Sequence, residues 1–422
     1  MTQRESLNTR HLLIGEGAWG FLYSLVIPST VLTVLLRRLG AGEVMIGAVT
    51  AIEAGLAVLP QFLGNLIAPS GHRRKRFLVL WHIALATPCF LAMGLLVFLR
   101  PVLGDAAVRW GLLALFALII FGLGAITSVW LDWMAHLFPR ELRGRSLGLA
   151  WGSAAALSTV SALASGAFLR VAPGLSGYGW LYIAAAVLVP PTMAVYMRLD
   201  DQATDGTDVA LRLDPAQLLA HFRLSMKDRS FRSFLAGRSL SVAGFSVTPF
   251  LAVHYASPRG GSLPESVIVL CGAAMTMGQM AANLTLGRLG DRRGYRACLL
   301  VVIAVQVLTL LAALCLRGAA GCLIAYLGAG ICGSGGFLAT TNLLFETCPH
   351  DSRMAHITAG NLALSVVSIA APLAGGAASR AWGNPALFAV CMAVSCLAFL
   401  WCLTRFKEPR GTRAAGAATG TP

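Results

Sequence analysis

Apolar positions along this chain neither alternate nor mark one stripe of a helix. They run on for about twenty residues at a time and break at short polar or glycine-rich stretches. A helix needs roughly 20 apolar residues to cross the ~30 Å hydrocarbon core of a bilayer. Twelve such runs predict twelve spanning helices, spans 1 to 12 in order. They lie near residues 12–36, 44–67, 77–99, 109–132, 146–169, 178–197, 232–255, 264–287, 297–316, 319–345, 355–379 and 384–404. Most connections are short, which makes consecutive helices antiparallel neighbours. One is long: 199–230 is polar and Asp-rich, and Asp214-Pro215 reads as the capped start of a short helix with proline at its first position. The chain therefore divides into a first six-span unit (1–198), this linker, a second unit (231–405) and a tail (406–422). The predicted fold class is all-α integral membrane, twelve transmembrane helices in two six-helix bundles.

Composition agrees. Of 422 residues 57% are hydrophobic and 12% charged, about half the charged share of a soluble domain. A net charge of +15 would suit nucleic acid on a soluble module. Here the basic residues sit in short connections between apolar runs, so the bilayer, not nucleic acid, is the expected partner. With both termini on one side, that side collects 24 of the 33 lysines and arginines, the other side 8, and Arg238 lies inside span 7. The positive-inside rule then places both termini and the linker in the cytoplasm, with the protein in the plasma (inner) membrane. Nine of the ten cysteines fall from Cys271 onward, mostly within apolar runs and without CxxC spacing, and read as packing residues. The polar start is not that of a cleaved secretory signal.

The two units repeat each other. After span 8 the chain reads Gly287-Arg-Leu-Gly-Asp291-Arg292-Arg-Gly294-Tyr-Arg296. After span 2, 223 residues earlier, it reads Gly64-Asn-Leu-Ile-Ala68-Pro69-Ser-Gly71-His-Arg73, with Ala68-Pro69 in place of the Asp-Arg pair. Pro139 and Arg143 after span 4 recur as Pro349 and Arg353 after span 10, 210 residues on. The shorter offset requires extra residues in the first unit, and 100–110 supplies them.

These loops resemble the signature of the major facilitator superfamily, Gly-x-x-x-Asp-Arg-x-Gly at 287–294, although that family usually carries it best between spans 2 and 3. The resemblance covers essentially the whole chain. It implies two pseudo-symmetric bundles around a central cavity that opens alternately to each side, with spans 1 and 7 lining it. It is specific for fold and weak for cargo.

Charged groups inside spans are expensive, so each is a candidate site. Glu53 lies nine residues after Val44, ~14 Å along the helix and near mid-membrane. A carboxyl withdrawn from water there can exchange a coupling proton, or can fix helix packing as a neutral acid. Glu16 in span 1 and Arg238 in span 7 occupy equivalent helices, placed to bind a polar solute together or to pair across a gate. Trp19 and Tyr23 follow Glu16 at helical spacing, either to stack on a ringed solute or to pack. At the terminal ends of spans 4 and 10, Asp132 and Glu346 oppose the helix dipole and call for cations. Arg73 or Arg74, and Arg292 or Arg293, are the expected partners. Asn342 stands where Asp132 does in the repeat. With Gly64, Gly71, Arg143, Gly287, Asp291, Gly294 and Arg353, these form a candidate gate whose ion pairs hold one conformation closed. The alternative is that the arginines serve topology alone.

His82 and His254 are single histidines and are not read as a relay. Gly328, Gly330 and Gly333 match GxGxxG, but inside an apolar span they read as close helix contact rather than a dinucleotide loop. Ala371-Pro372 through Gly376 resembles half of the family's exporter signature and favours export only weakly. No metal cluster, nucleotide loop or nucleophile–base pair is visible in the sequence, so neither a cofactor nor an enzyme activity is expected. The expectation is a monomeric secondary transporter for a small organic solute, with H+ as the candidate coupling ion. The alternative is a sensor or lipid-handling protein on the same fold.

Overall fold

The computed structural model describes residues 2–69, 73–138, 140–201, 223–347 and 353–408. All regular structure among them is helical, and it resolves into the twelve spans. Span 1 is Gln3–Arg38, span 2 comprises Glu43–Leu56 and Gln61–Ile67, and spans 3 to 6 are Arg73–Phe98, Arg100–His136, Arg140–Val171 and Leu175–Met197. Span 7 is Arg229–Ala256, and spans 8 to 12 are Glu265–Arg293, Tyr295–Cys315, Gly318–Thr347, Arg353–Trp382 and Asn384–Thr404. Eleven are long and apolar enough to cross a membrane. Span 2 falls short because it breaks between Leu56 and Gln61. The expected helix at Asp214-Pro215 lies outside the described residues.

Three spans are interrupted. Besides span 2, span 1 leaves the α-helix after Ser24 and resumes as a π-turn, Pro28–Leu32, before the short helix Thr33–Arg38. Span 7 stops at Gly244 and restarts as Thr248–Ala256 with Pro249 in its first turn. A proline has no N–H to give and crowds the preceding turn, so each helix ends before it and a new one begins at it. Pro28 and Pro249 stand 221 residues apart, close to the loop offset, so the repeat extends into the helices themselves. The extra residues at 100–110 are not an open loop. They lengthen span 4 at its start, with the chain turning at Gly104 (φ 78°).

Within each half the helices approach closely through glycine. A Cβ on Gly64 of span 2 would sit 2.2 Å from the Ala125 carbonyl of span 4, and one on Gly124 would sit 2.1 Å from that of Leu56. Spans 8 and 10 repeat this: Gly278 meets the Leu327 carbonyl and Gly330 that of Met275, at 2.1 and 1.9 Å. Gly330 belongs to the GxGxxG match, and small-residue packing is what it does.

The helices alternate in direction, so one face carries the termini and linker and the other carries the 39–42, 172–174 and 257–264 connections. The halves meet chiefly through spans 2 and 11 and through spans 5 and 8. These contacts lie between mid-span and the face opposite the termini. Gly47 abuts Pro372, Gly376 abuts Glu43 and Val44, and Gly166 abuts Leu270. The Thr159 and Thr276 hydroxyls, 2.8 Å apart, are the hydrogen bond between the halves nearest the terminal side among the described residues.

Candidate functional site

Glu16, Trp19 and Tyr23 fall on one face of span 1, at i, i+3 and i+7. The structure gives them two different surroundings. Glu16 is buried, and the Tyr196 hydroxyl of span 6 donates to its Oε1 at 2.8 Å. With Trp19 it borders a cavity of about 190 Å³ closed by spans 3, 4 and 6. Tyr23 lies seven residues further on, ~10 Å deeper. Its hydroxyl lies close to the Glu53 carboxyl of span 2. Glu53 continues the face of Ile46 and Val49, both fully buried, so it points into the first half. A further phenol, Tyr182 of span 6, is buried nearby with no hydrogen-bond partner for its hydroxyl among the described residues.

Arg238 is the counterpart of Glu16, 222 residues on. Its Nε donates to Thr340 Oγ1 at 2.6 Å and its Nη1 to Ser241 Oγ at 3.0 Å. Ser241 in turn donates to Gln306 Oε1 at 3.1 Å. Among the described residues no carboxylate pairs with it, so a full charge is held by neutral oxygens alone. The expected pairing of Glu16 with Arg238 across the halves is not made in this conformation. Each is bonded inside its own half, and among the described residues the side-chain bonds between the halves lie from mid-span to the opposite face.

At the terminal face, Arg74 is the arginine beside Asp132, Nη1 to Oδ2 at 2.8 Å. Lys75 donates to the Leu199 carbonyl at 2.8 Å and pairs with Asp201 at 3.1 Å, while Arg4 pairs with Asp200 at 3.1 Å. The second half does the same work with other residues. Arg296 donates to the Cys402 and Leu403 carbonyls, and Glu408 accepts from its backbone N–H at 3.1 Å. Basic side chains thus hold the chain just beyond span 6 and cap the last carbonyls of span 12. Gly294 turns the chain at φ 85°, and a Cβ there would strike the Glu408 carboxyl. The Tyr295 hydroxyl donates to Asp291 at 3.2 Å.

Arg73 and Arg292 are exposed, Glu346 is half-buried, and the Asn342 amide donates to Leu338 of its own helix. Gly287 faces open space, unlike Gly64. Arg143 lies in the first turn of span 5, Arg353 opens span 11, and Gly71 lies outside the described residues. Every ion pair described at this face is within one half.

Among the described residues, the ion pair that joins the halves is on the opposite face. Arg38 of span 1 meets the Glu265 carboxylate of span 8 at 2.5 Å, the Tyr178 hydroxyl of span 6 donates to Glu265 Oε2 at 2.7 Å, and Arg38 Nη1 donates to the Pro173 carbonyl at 2.7 Å. Sequence reasoning counts Arg38 as topology and passes over Glu265. The available signal is an acid in the first turn of span 8, on the side poorest in basic residues.

Comparison with known proteins places this architecture. Residues 234–421 match the sequence model of the Major Facilitator Superfamily. No curated protein matches the chain in sequence. Among solved structures, a point mutant of the nucleoside transporter NupG superposes with a TM-score of 0.68 at 12% identity, over 94% of this chain and 100% of that one. A POT family transporter in complex with 5-aminolevulinic acid gives 0.68 at 10%, over 96% of each. A bacterial homolog of the human lysosomal transporter Spinster, inward-facing and unoccupied, gives 0.61 at 12%, over the whole of both chains.

Proposed function

Since the chain has the major facilitator superfamily fold and its second half matches that superfamily's sequence model, we propose that it is a secondary transporter moving a small organic solute across the plasma membrane by alternating access. The observation that carries this reading is the asymmetry of the contacts between the halves. They run from mid-span to the opposite face, where the Arg38–Glu265–Tyr178 cluster fastens them. Among the described residues, the ion pairs of the terminal face stay within each half. Two self-contained bundles joined over one end of their interface can rock about the middle, which is what a solute path open to one side at a time requires.

In this reading the terminal face is cytoplasmic, as the 24-to-8 distribution of basic residues favours. The state described is then open to the cytoplasm, and the chain works as a monomer. Glu53, beside Tyr23 at mid-membrane, is the candidate proton-coupling group, and Arg238 is a solute or gating contact. Purified protein in liposomes should show saturable counterflow of its solute, measured against protein-free vesicles across a panel of solute classes. Absence of flux for every class, with the protein folded and inserted, would reject the transporter reading.

A further inference from the structure

The cavity beside Glu16 has a chemistry of its own. Trp19 and Trp130 both pack against His82, with ring centroids 5.2 and 4.8 Å from the imidazole, and Trp130 packs edge-on against Tyr196 at 4.9 Å. Met193 and, from span 4, Leu123, Ile126, Thr127 and Leu131 complete the wall. His82 Nδ1 donates to the Leu78 carbonyl at 2.8 Å, which fixes the imidazole as part of that wall. Among the described residues the one carboxylate on the lining is Glu16, steadied by the hydroxyl of Tyr196, which lines the cavity too. Aromatic faces around a single carboxylate attract a cation, the rings through their quadrupoles and the acid through its charge. At about 190 Å³ the space exceeds the roughly 150 Å³ of apolar cavities known to admit a benzene-sized guest.

The internal repeat points the same way. Glu16 corresponds to Arg238 at an offset of 222, Trp130 to Thr340 at 210, and His82 to within a residue of Gln306. In the second half the equivalent place is filled by the Arg238 guanidinium, bonded to Thr340 and, through Ser241, to Gln306. One half lodges its own cation there. The other presents an acid and aromatic rings around a cavity.

We propose that the Glu16 cavity binds a small organic cation, an alkylated or quaternary ammonium group. This rests on the transport reading and names the class of its cargo. The test is equilibrium dialysis of the purified full-length chain against radiolabelled choline. Tetramethylammonium and 3,3-dimethyl-1-butanol, the uncharged carbon isostere of choline, serve as competitors. Choline should bind saturably and be displaced by tetramethylammonium but not by the alcohol. Glu16→Gln should weaken binding about tenfold or more, and Trp130→Leu by roughly fivefold, with Trp130→Phe retaining most of it.

Absent binding, equal displacement by the alcohol, or unchanged affinity in a folded Glu16→Gln variant would each overturn the proposal. If that variant does not fold, the isostere comparison on the unaltered chain decides. Counterflow in liposomes separates the two readings. Flux of another solute without choline binding rejects the cation site and keeps the transporter. Choline binding without flux of any solute does the reverse.

Discussion

Glu265 holds three groups from the other half of the molecule: the Arg38 guanidinium, the Tyr178 hydroxyl and, through Arg38, the Pro173 carbonyl. Both charged partners are partly exposed, so the pair alone is worth a surface pair's ~0.2–1 kcal/mol, and the charged hydrogen bond from tyrosine adds about 1.5–3 kcal/mol. Glu265→Gln should therefore shift the population toward the state open on the opposite face by about tenfold. Labelling of a cysteine placed at Thr159 by an impermeant maleimide from that side would report it, and an unchanged rate would remove the latch. At Glu53, replacement by Gln should abolish gradient-driven accumulation while leaving exchange measurable. A pH dependence identical to that of the unaltered chain would remove its coupling role. These residues differ in legibility. Glu53 is visible in the sequence because a charge in an apolar run has no cheap explanation. Glu265 is not, because a charge at a span end has one, and its partner is 227 residues away.

At the scale of helices, the twelve runs and their order are fully legible, since hydrocarbon thickness sets run length and little else competes with it. The breaks are less so. Pro28 and Pro249 are in plain view, yet a proline inside an apolar run kinks some helices and ends others, and only the packing around it decides. Glycine is ambiguous for the same reason. Gly64 and Gly287 occupy matching positions in the repeat, but a Cβ meets a carbonyl at the first and open space at the second. Gly64→Ala and Gly330→Ala should each lower stability by about 1–3 kcal/mol, seen as a lower thermal midpoint in detergent, while Gly287→Ala should leave it unchanged. Equal effects at all three sites would show that this close helix packing is not what the glycines serve.

For the whole molecule, the two-half plan follows from the loop repeat, and the structure has the fold it implies. What the sequence cannot convey is which ends of the halves touch, because two bundles with apolar inner faces can meet at either end with the same residues. The terminal-face charges illustrate this. They carry the family's loop pattern, but in this state Lys75 and Arg296 tie helix ends within their own halves. Lys75→Ala, which unties spans 3 and 6, should loosen the first half alone. Hydrogen exchange would then rise at the terminal ends of spans 3 and 6 and stay unchanged in spans 9 and 12. A uniform rise would mean that the halves are not independent bodies.

The interruptions in spans 1 and 7 have a mechanical consequence. Beyond Pro28 and Pro249, the segments Pro28–Arg38 and Thr248–Ala256 pack on each other across the closed face. That face is barred twice, by the broad seam between the bundles and by two short leaves hung on proline. The first leaf ends at Arg38, which also holds Glu265 across the seam, so leaf and seam share one fastening, and on the proposed transport reading this face would open all at once.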